Sequence, residues 1–225
     1  MALNIVSKID EDIKINNVLI SLSNKDGLEK LVKSLIEINS DVKFYSTGGT
    51  YAAIKEIVGT ENLIAVSAYT GQPEMQGGLV KTLDFKIYMG LLSETYNEAH
   101  QEDLKRIEGI NFDLVAVNLY PFNESVSSPG CTVEMGRTNI DIGGPCMLRA
   151  SAKNFLRVLS LCNPSDYESI IKELKNNDGK ISLETRFNMA QKTFSHTAEY
   201  DRNISEFLKK SSFEMMADCY NEGDK

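Results

Sequence analysis

NVLISLSNKDGLEKLVKSLIEINSDVKFYSTGGTYAAI occupies residues 17–54, and its reading decides the fold class. It opens on NVLISLS (17–23), a β-branched apolar run closed by polar residues, the pattern of a buried strand. Leu28, Leu31, Val32, Leu35 and Ile36 then recur at helical spacing, so an amphipathic helix follows. VKFYS (42–46) is a second short strand, TGGT is a turn, and YAAIKEIV (51–58) reads as another helix. Strands and helices in strict alternation, with short connections, predict a parallel sheet with helices on its faces.

The alternation continues outward. NLIAVS (62–67) is a third strand, FDLVAVNLYPF (112–122) the strongest, ended by Pro121, and RVLSLC (157–162) another. LLSETYNEAHQEDLKRIEG (91–109) and PSDYESIIKELKNN (164–177) read as helices, the latter with cap residues at its start. ESVSSPGCTVEMGRTN (124–139) reads as loop, with or without a short helix. DIGGPCMLRASAKN (141–154) reads as a turn feeding a helix, with Pro145 in the first position, where a missing N–H is harmless. Residues 182–210 form a long tail helix with Leu183, Phe187, Ala190, Phe194 and Ala198 on one face, packing on the domain or on a second copy. The segment YTGQPEMQGGLVKTLDFK (69–86) follows no period; long irregular segments in compact domains are usually functional or disordered, and its interleaved apolar residues disfavour disorder. The expected architecture is a three-layer α/β sandwich around a mostly parallel sheet, plus a C-terminal helical extension. It is one domain over residues 1–225, with a core at about 17–175 and a tail helix at about 182–210.

Composition narrows the function. The chain has 225 residues, 42% hydrophobic and 25% charged, the balance of an ordinary globular protein. Its formal net charge of -8 argues against nucleic acid or an anionic membrane as a bulk partner, which would need a basic footprint. A small anion remains possible, because it needs only a local nest of N–H groups and a lysine or two. The four cysteines form no C-x-x-C pair and the two histidines lie apart from them, so no metal site or disulfide framework is expected. The N-terminus lacks a signal-peptide pattern and no apolar stretch is long enough for a transmembrane helix, so a cytoplasmic location is expected.

In such sheets ligands bind at the carboxyl ends of the strands, and the informative loops fall there. Thr47-Gly48-Gly49-Thr50 combines bare backbone with hydroxyls at a strand-to-helix turn, which suits either a plain turn or a phosphate. Ser21-Leu22-Ser23-Asn24-Lys25 is a second such loop, and a lysine in a first helical turn opposes the helix dipole unless an anion is bound. Two such loops favour a phosphorylated ligand. Lys81 and Thr82 lie in the irregular segment, Asn118 and Tyr120 at the mouth of the strongest strand. Asp141-Ile142-Gly143 opens a second glycine turn that could present N–H groups to an oxyanion, or simply cap a helix. Lys153 ends that helix, where a lysine is favourable with no function at all. Together these make a pocket for binding a nucleotide-sized phosphate and moving protons, with no cofactor.

The motifs SLSNKDGL, STGGT, VSAYTGQPEMQGGLVKTL, VNLYPF, NIDIGGPCMLRASAKN and ETRFNMAQKTFSHTAEYD occur in the order found in IMP cyclohydrolase. The chain resembles that family, usually the N-terminal half of bifunctional AICAR transformylase/IMP cyclohydrolase, over roughly residues 18–207. The resemblance implies a methylglyoxal-synthase-like fold and the closure of formyl-AICAR to IMP with loss of water. It implies a phosphate cradle at Ser23, Asn24, Lys25 and Thr47, Gly48, Gly49 and Thr50. Base and formyl contacts fall to Lys81, Thr82, Asn118, Tyr120, Asp141 and Gly143, and proton transfer to Lys153, whose pKa should be lowered by partial desolvation. It also implies a homodimer and a separate transformylase, since the chain stops where that domain would begin. The sequence departs from the family pattern GGRVKTLHP: Leu79 replaces an arginine, Asp84-Phe85 replaces His-Pro, Tyr88 stands where histidine is common, and Asn24 replaces an aspartate. The alternatives are a non-catalytic purine-nucleotide-binding module and methylglyoxal synthase.

Overall fold

Period-two alternation divides the apolar residues of each strand between two helical layers. The computed structural model describes residues 5–73 and 81–221. Its strands are β1 (Asp12–Lys14), β2 (Asn17–Leu22), β3 (Lys43–Ser46), β4 (Leu63–Ala65), β5 (Leu114–Asn118), β6 (Leu159–Leu161) and β7 (Lys180–Ser182). The helices are α1 (Leu28–Ile38), α2 (Gly48–Val58), α3 (Val66–Thr70), α4 (Phe85–Leu92), α5 (Glu98–Arg106), α6 (Phe122–Val126), α7 (Val133–Thr138), α8 (Gly143–Lys153), α9 (Tyr167–Asn176), α10 (Leu183–Lys210) and α11 (Phe213–Ala217). Five strands form one parallel sheet in the order β4-β3-β2-β5-β6. The chain reverses its direction of sheet growth between β2 and β5, which makes their carboxyl ends the topological switch point.

Val18, Ile20, Phe44, Leu114, Ala116 and Leu159 face a layer built from α1, α2 and α9. Leu19, Tyr45, Val115 and Val117 face the opposite layer, where Ile87 and Leu91 of α4 and Met147 and Leu148 of α8 complete the core. Each buried leucine or isoleucine contributes roughly 1.5–3 kcal/mol. The expected three-layer α/β architecture is therefore the one observed, with α10 laid across α8 and β6 as a helical C-terminal part. Among the described residues, no helix is long and apolar enough to cross a membrane.

Several local expectations need correction. The helix expected from residue 91 starts at Phe85, where Asp84 caps it by accepting the Lys86 N–H at 2.8 Å. It stops at Leu92, and a new helix begins after Asn97, whose side chain accepts the His100 N–H. Pro145 is the third residue of α8, not the first, yet still within the turn whose N–H groups have no intrahelical acceptor. The α10 stripe also differs. Ala190 is buried as expected, but Phe187 and Phe194 are exposed, and the inward face is Arg186, Ala190, Thr193, Thr197 and Tyr200.

The antiparallel ribbon of β1 and β7 was not foreseen. Arg186 holds it. This fully buried guanidinium donates to the carbonyls of Asp10, Glu11, Phe155, Leu156 and Ile181 at 2.7–3.2 Å. Burial lowers its pKa, and the nearby carboxylates of residues 10–12 and Glu173 oppose that shift.

Candidate functional site

The carboxyl ends of β2, β3 and β5 open into a cleft of about 490 Å³, within the usual range of small-molecule sites. Ser21, Ser23, Lys25, Thr47, Gly48, Gly49, Thr50, Lys81, Thr82, Asn118, Tyr120, Asp141, Ile142 and Gly143 all line it. Asn24 and Lys153 are the two expected site residues that do not. Leu79 lies outside the described residues, as do Met75, Gly77, Gly78 and Val80.

Helix α2 begins at Gly48, so both glycines belong to its first turn rather than to a loop before it. Thr47 makes no side-chain cap, and the first-turn N–H groups lack intrahelical acceptors, which leaves donors at the positive end of the helix dipole. Gly48 sits at φ +50°, in the left-handed region, and a Cβ there would lie 3.1 Å from the Lys81 Nζ. A Cβ on Gly49 would lie 3.9 Å from the Lys25 Nζ. Both glycines thus admit a lysine ammonium to a helix N-terminus. Cations at the positive end of a helix dipole make a setting in which an anion is favourable.

The neighbouring hydroxyl and amide groups serve the scaffold. The Thr50 hydroxyl donates to the Leu22 carbonyl at 3.1 Å and accepts the Leu22 N–H at 3.0 Å, fixing α2 to the end of β2. Asn118 clamps the β2–α1 loop. Its Oδ1 accepts the N–H groups of Ser23 (2.6 Å) and Asn24 (3.0 Å), and its Nδ2 donates to the Asn24 carbonyl (2.6 Å). The Asn24 side chain turns into its own loop, accepting the Asp26 N–H and donating to the Asp26 carboxylate. Asn24 is therefore placed as loop structure, and a cradle in this loop relies on the Ser23 hydroxyl and Lys25.

The opposite wall is the N-terminus of α8. A Cβ on Gly143 would lie 2.4 Å from the Thr82 Oγ1, and one on Gly144 2.4 Å from the Asp141 Oδ2. Consecutive residues Lys81 and Thr82 thus touch the first turns of α2 and α8, one each. Asp141 accepts the Gly144 N–H at 2.9 Å, so it does cap α8. Burial raises its pKa; the backbone N–H groups of Gly144 and Tyr120 pull it partly back. Tyr120 itself stands half in solvent at 55% exposure, at the rim of the cleft.

Lys153 is exposed at the last position of α8. Ten residues separate it from Gly143, about 15 Å along a helix rising 1.5 Å per residue. It lies outside its own chain's cleft. Sequence reasoning passed over Thr138, Asn139, Ile140 and Met147, which also line the cleft. Their signal was adjacency to Asp141 and the one-turn spacing of Met147 from Gly143. It also missed Tyr200, whose hydroxyl accepts the Asp141 N–H at 2.8 Å from the tail helix.

Fold and cleft define a class: a methylglyoxal-synthase-like domain with an open cleft at its switch point. A family model described as the MGS-like domain matches residues 27–146, and the chain belongs to that family. A second, described as the AICARFT/IMPCHase bienzyme, matches residues 151–223. Within these, the chain matches bifunctional purine biosynthesis proteins PurH over their IMP-cyclohydrolase-like region. It is 45% identical to the protein of Prochlorococcus marinus (strain MIT 9211) over 85% of this chain and 36% of that protein. It is 44% identical to that of Nostoc punctiforme over 89% of this chain and 38% of the relative. The chain thus spans well under half the length of these curated relatives. The crystal structure of ForH is similar at a TM-score of 0.73 and 27% identity, covering 86% of this chain and 99% of that one.

Proposed function

We propose that the chain is an IMP cyclohydrolase of purine biosynthesis, closing the second purine ring of formyl-AICAR. The observation that carries this reading is the Lys81-Thr82 pair, which joins an anion nest on α2 to an oxyanion-suited helix terminus on α8. The 5′-phosphate sits on the first turn of α2, between Lys25 and Lys81. That leaves the heterocycle against Tyr120, Asp141 and the Gly143 turn.

In the ring closure the carboxamide nitrogen attacks the formyl carbon, forming the C–N bond. One amide proton moves to the formyl oxygen, giving a hydroxyl; the proton of the formamido nitrogen then leaves with that hydroxyl as water as the C–O bond breaks and a C=N double bond forms, and the amide nitrogen keeps its second proton. An amide nitrogen is a weak nucleophile, so holding it against the formyl group supplies much of the acceleration. The α8 N-terminus stabilises negative charge on the formyl oxygen. The Asp141 carboxylate accepts protons from the amide. Lys153 acts only on the cleft of a second copy in a homodimer, because it stands at the wrong end of α8 to serve its own. The formyl group is already on the substrate when it enters the cleft, and the reaction runs in the cytoplasm.

Nucleotide titration tests the binding half of this reading. IMP binds, inosine binds far more weakly, and Lys25→Ala erases most of the difference; equal binding of IMP and inosine contradicts the phosphate assignment. The MGS-like match leaves methylglyoxal synthase as a second reading. Dihydroxyacetone phosphate is expected to yield no methylglyoxal, and its formation would favour that activity.

A further inference from the structure

We propose that Tyr200, on the tail helix, is a positioning residue for the ring closure, holding Asp141 in its working place through its hydroxyl. The inference rests on the function proposed above, and it arises from a contact between two parts of the chain far apart in sequence. The Tyr200 hydroxyl accepts the Asp141 N–H at 2.8 Å and donates to the Asn139 carbonyl at 3.4 Å. It thereby grips residues 139 and 141, both of which line the cleft. Asp141 in turn accepts the Gly144 N–H, so the hydroxyl is linked through Asp141 to the first turn of α8.

The anchor is itself rigid. Tyr200 is 7% exposed and its ring meets Phe122 edge-on at 6.1 Å. Phe122 meets Phe207 of the same helix at 5.7 Å, and Phe207 also fills the space where a Cβ on Gly136 would lie. The α10 face therefore touches both arms that carry reacting groups: the segment of Tyr120 before α6, and the segment of Asp141 after α7. The Asp141 N–H is part-buried and loses its acceptor with the hydroxyl, so residues 139–141 leave this geometry. The phosphate nest on α2 is not part of this chain of contacts, so the phosphate anchor that dominates binding is spared.

Tyr200→Phe keeps the ring and removes only the oxygen. The variant is expected to lose at least tenfold in kcat with KM within twofold of wild type, the mark of a group needed in the transition state rather than in binding. Amide exchange at Asp141 is expected to accelerate at least tenfold. Lys192→Met removes the ion pair of the same helix to Asp166 without touching the hydroxyl or its aromatic support; it lowers the thermal midpoint and leaves kcat unchanged. Wild-type kcat in Tyr200→Phe, an equal kcat loss in Lys192→Met, or unchanged Asp141 exchange would each overturn the proposal. A wild-type chain that does not turn over formyl-AICAR would instead refute the proposed function, and the exchange measurement would still decide the anchor.

Discussion

Asn118→Ala separates a scaffold role from a ligand role at one position. The side chain makes three hydrogen bonds, at 2.6, 3.0 and 2.6 Å, to the backbone of Ser23 and Asn24. A typical intramolecular hydrogen bond contributes about 0.5–1.5 kcal/mol net, so the three together span roughly 1.5–4.5 kcal/mol. The two at Asn24 are exposed, and water replaces them well; the Ser23 N–H is half-buried and is replaced poorly. The loss is therefore placed near the lower end, about 2 kcal/mol. For a chain of 225 residues that corresponds to a fall of about 4–8 °C in thermal midpoint. The fold survives it, since domains of this kind are stable by roughly 5–15 kcal/mol. The loop loses its register, so Ser23 and Lys25 leave the nest and IMP binds about tenfold or more weakly. Asn118→Asp keeps the acceptor for both N–H groups and loses one bond, about 1 kcal/mol, but brings a carboxylate close to the phosphate. It is more stable than the alanine variant and binds IMP no better. Urea unfolding with calorimetric IMP titration reads both quantities. An alanine variant with wild-type stability and weakened binding would refute the clamp and return Asn118 to direct ligand contact.

Other expectations follow from the same structure. Arg186→Met removes five hydrogen bonds, one buried and four part-buried, and is expected to cost more than about 3 kcal/mol in urea unfolding. Arg186→Lys, with three donors for five acceptors, falls between the two. Burial raises the Asp141 pKa above its usual 3.8, and the carboxylate is the working form. Activity is thus full above that raised pKa and falls as pH drops through it, and the acid limb of log(kcat/KM) lies above the ordinary carboxylate range. A limb at or below 3.8 would contradict the burial argument. Mixing inactive Lys153→Ala with inactive Asp141→Asn subunits restores activity if Lys153 serves a second copy; no restoration on subunit exchange contradicts that assignment.

The parallel sheet was legible because its strands are β-branched runs that end at turn residues. The cleft was legible because Gly48, Gly49, Lys25 and Asp141 are odd where they stand unless backbone or charge is being presented to something. The ribbon of β1 and β7 was not, since its strands are three residues long, carry charges, and pair across almost the whole chain. The inner face of α10 was missed for a related reason. Arg186, Thr193 and Thr197 are buried but polar, so a search for apolar period selected Phe187 and Phe194, which are exposed. Local sequence does not record what a side chain finds across the fold. Asn118 and Tyr200 are both spent on backbone groups from distant segments. Lys153 shows the converse, a residue picked out by motif that its own chain does not bring to the cleft.

The central claim is ring closure without folate. Purified chain mixed with formyl-AICAR, with no folate present, is followed by absorbance while IMP is identified as product. Catalytic conversion, lost in Lys81→Ala and Asp141→Asn, is the predicted result. Binding of IMP with no conversion above the uncatalysed rate would contradict the account and leave a nucleotide-binding module in its place.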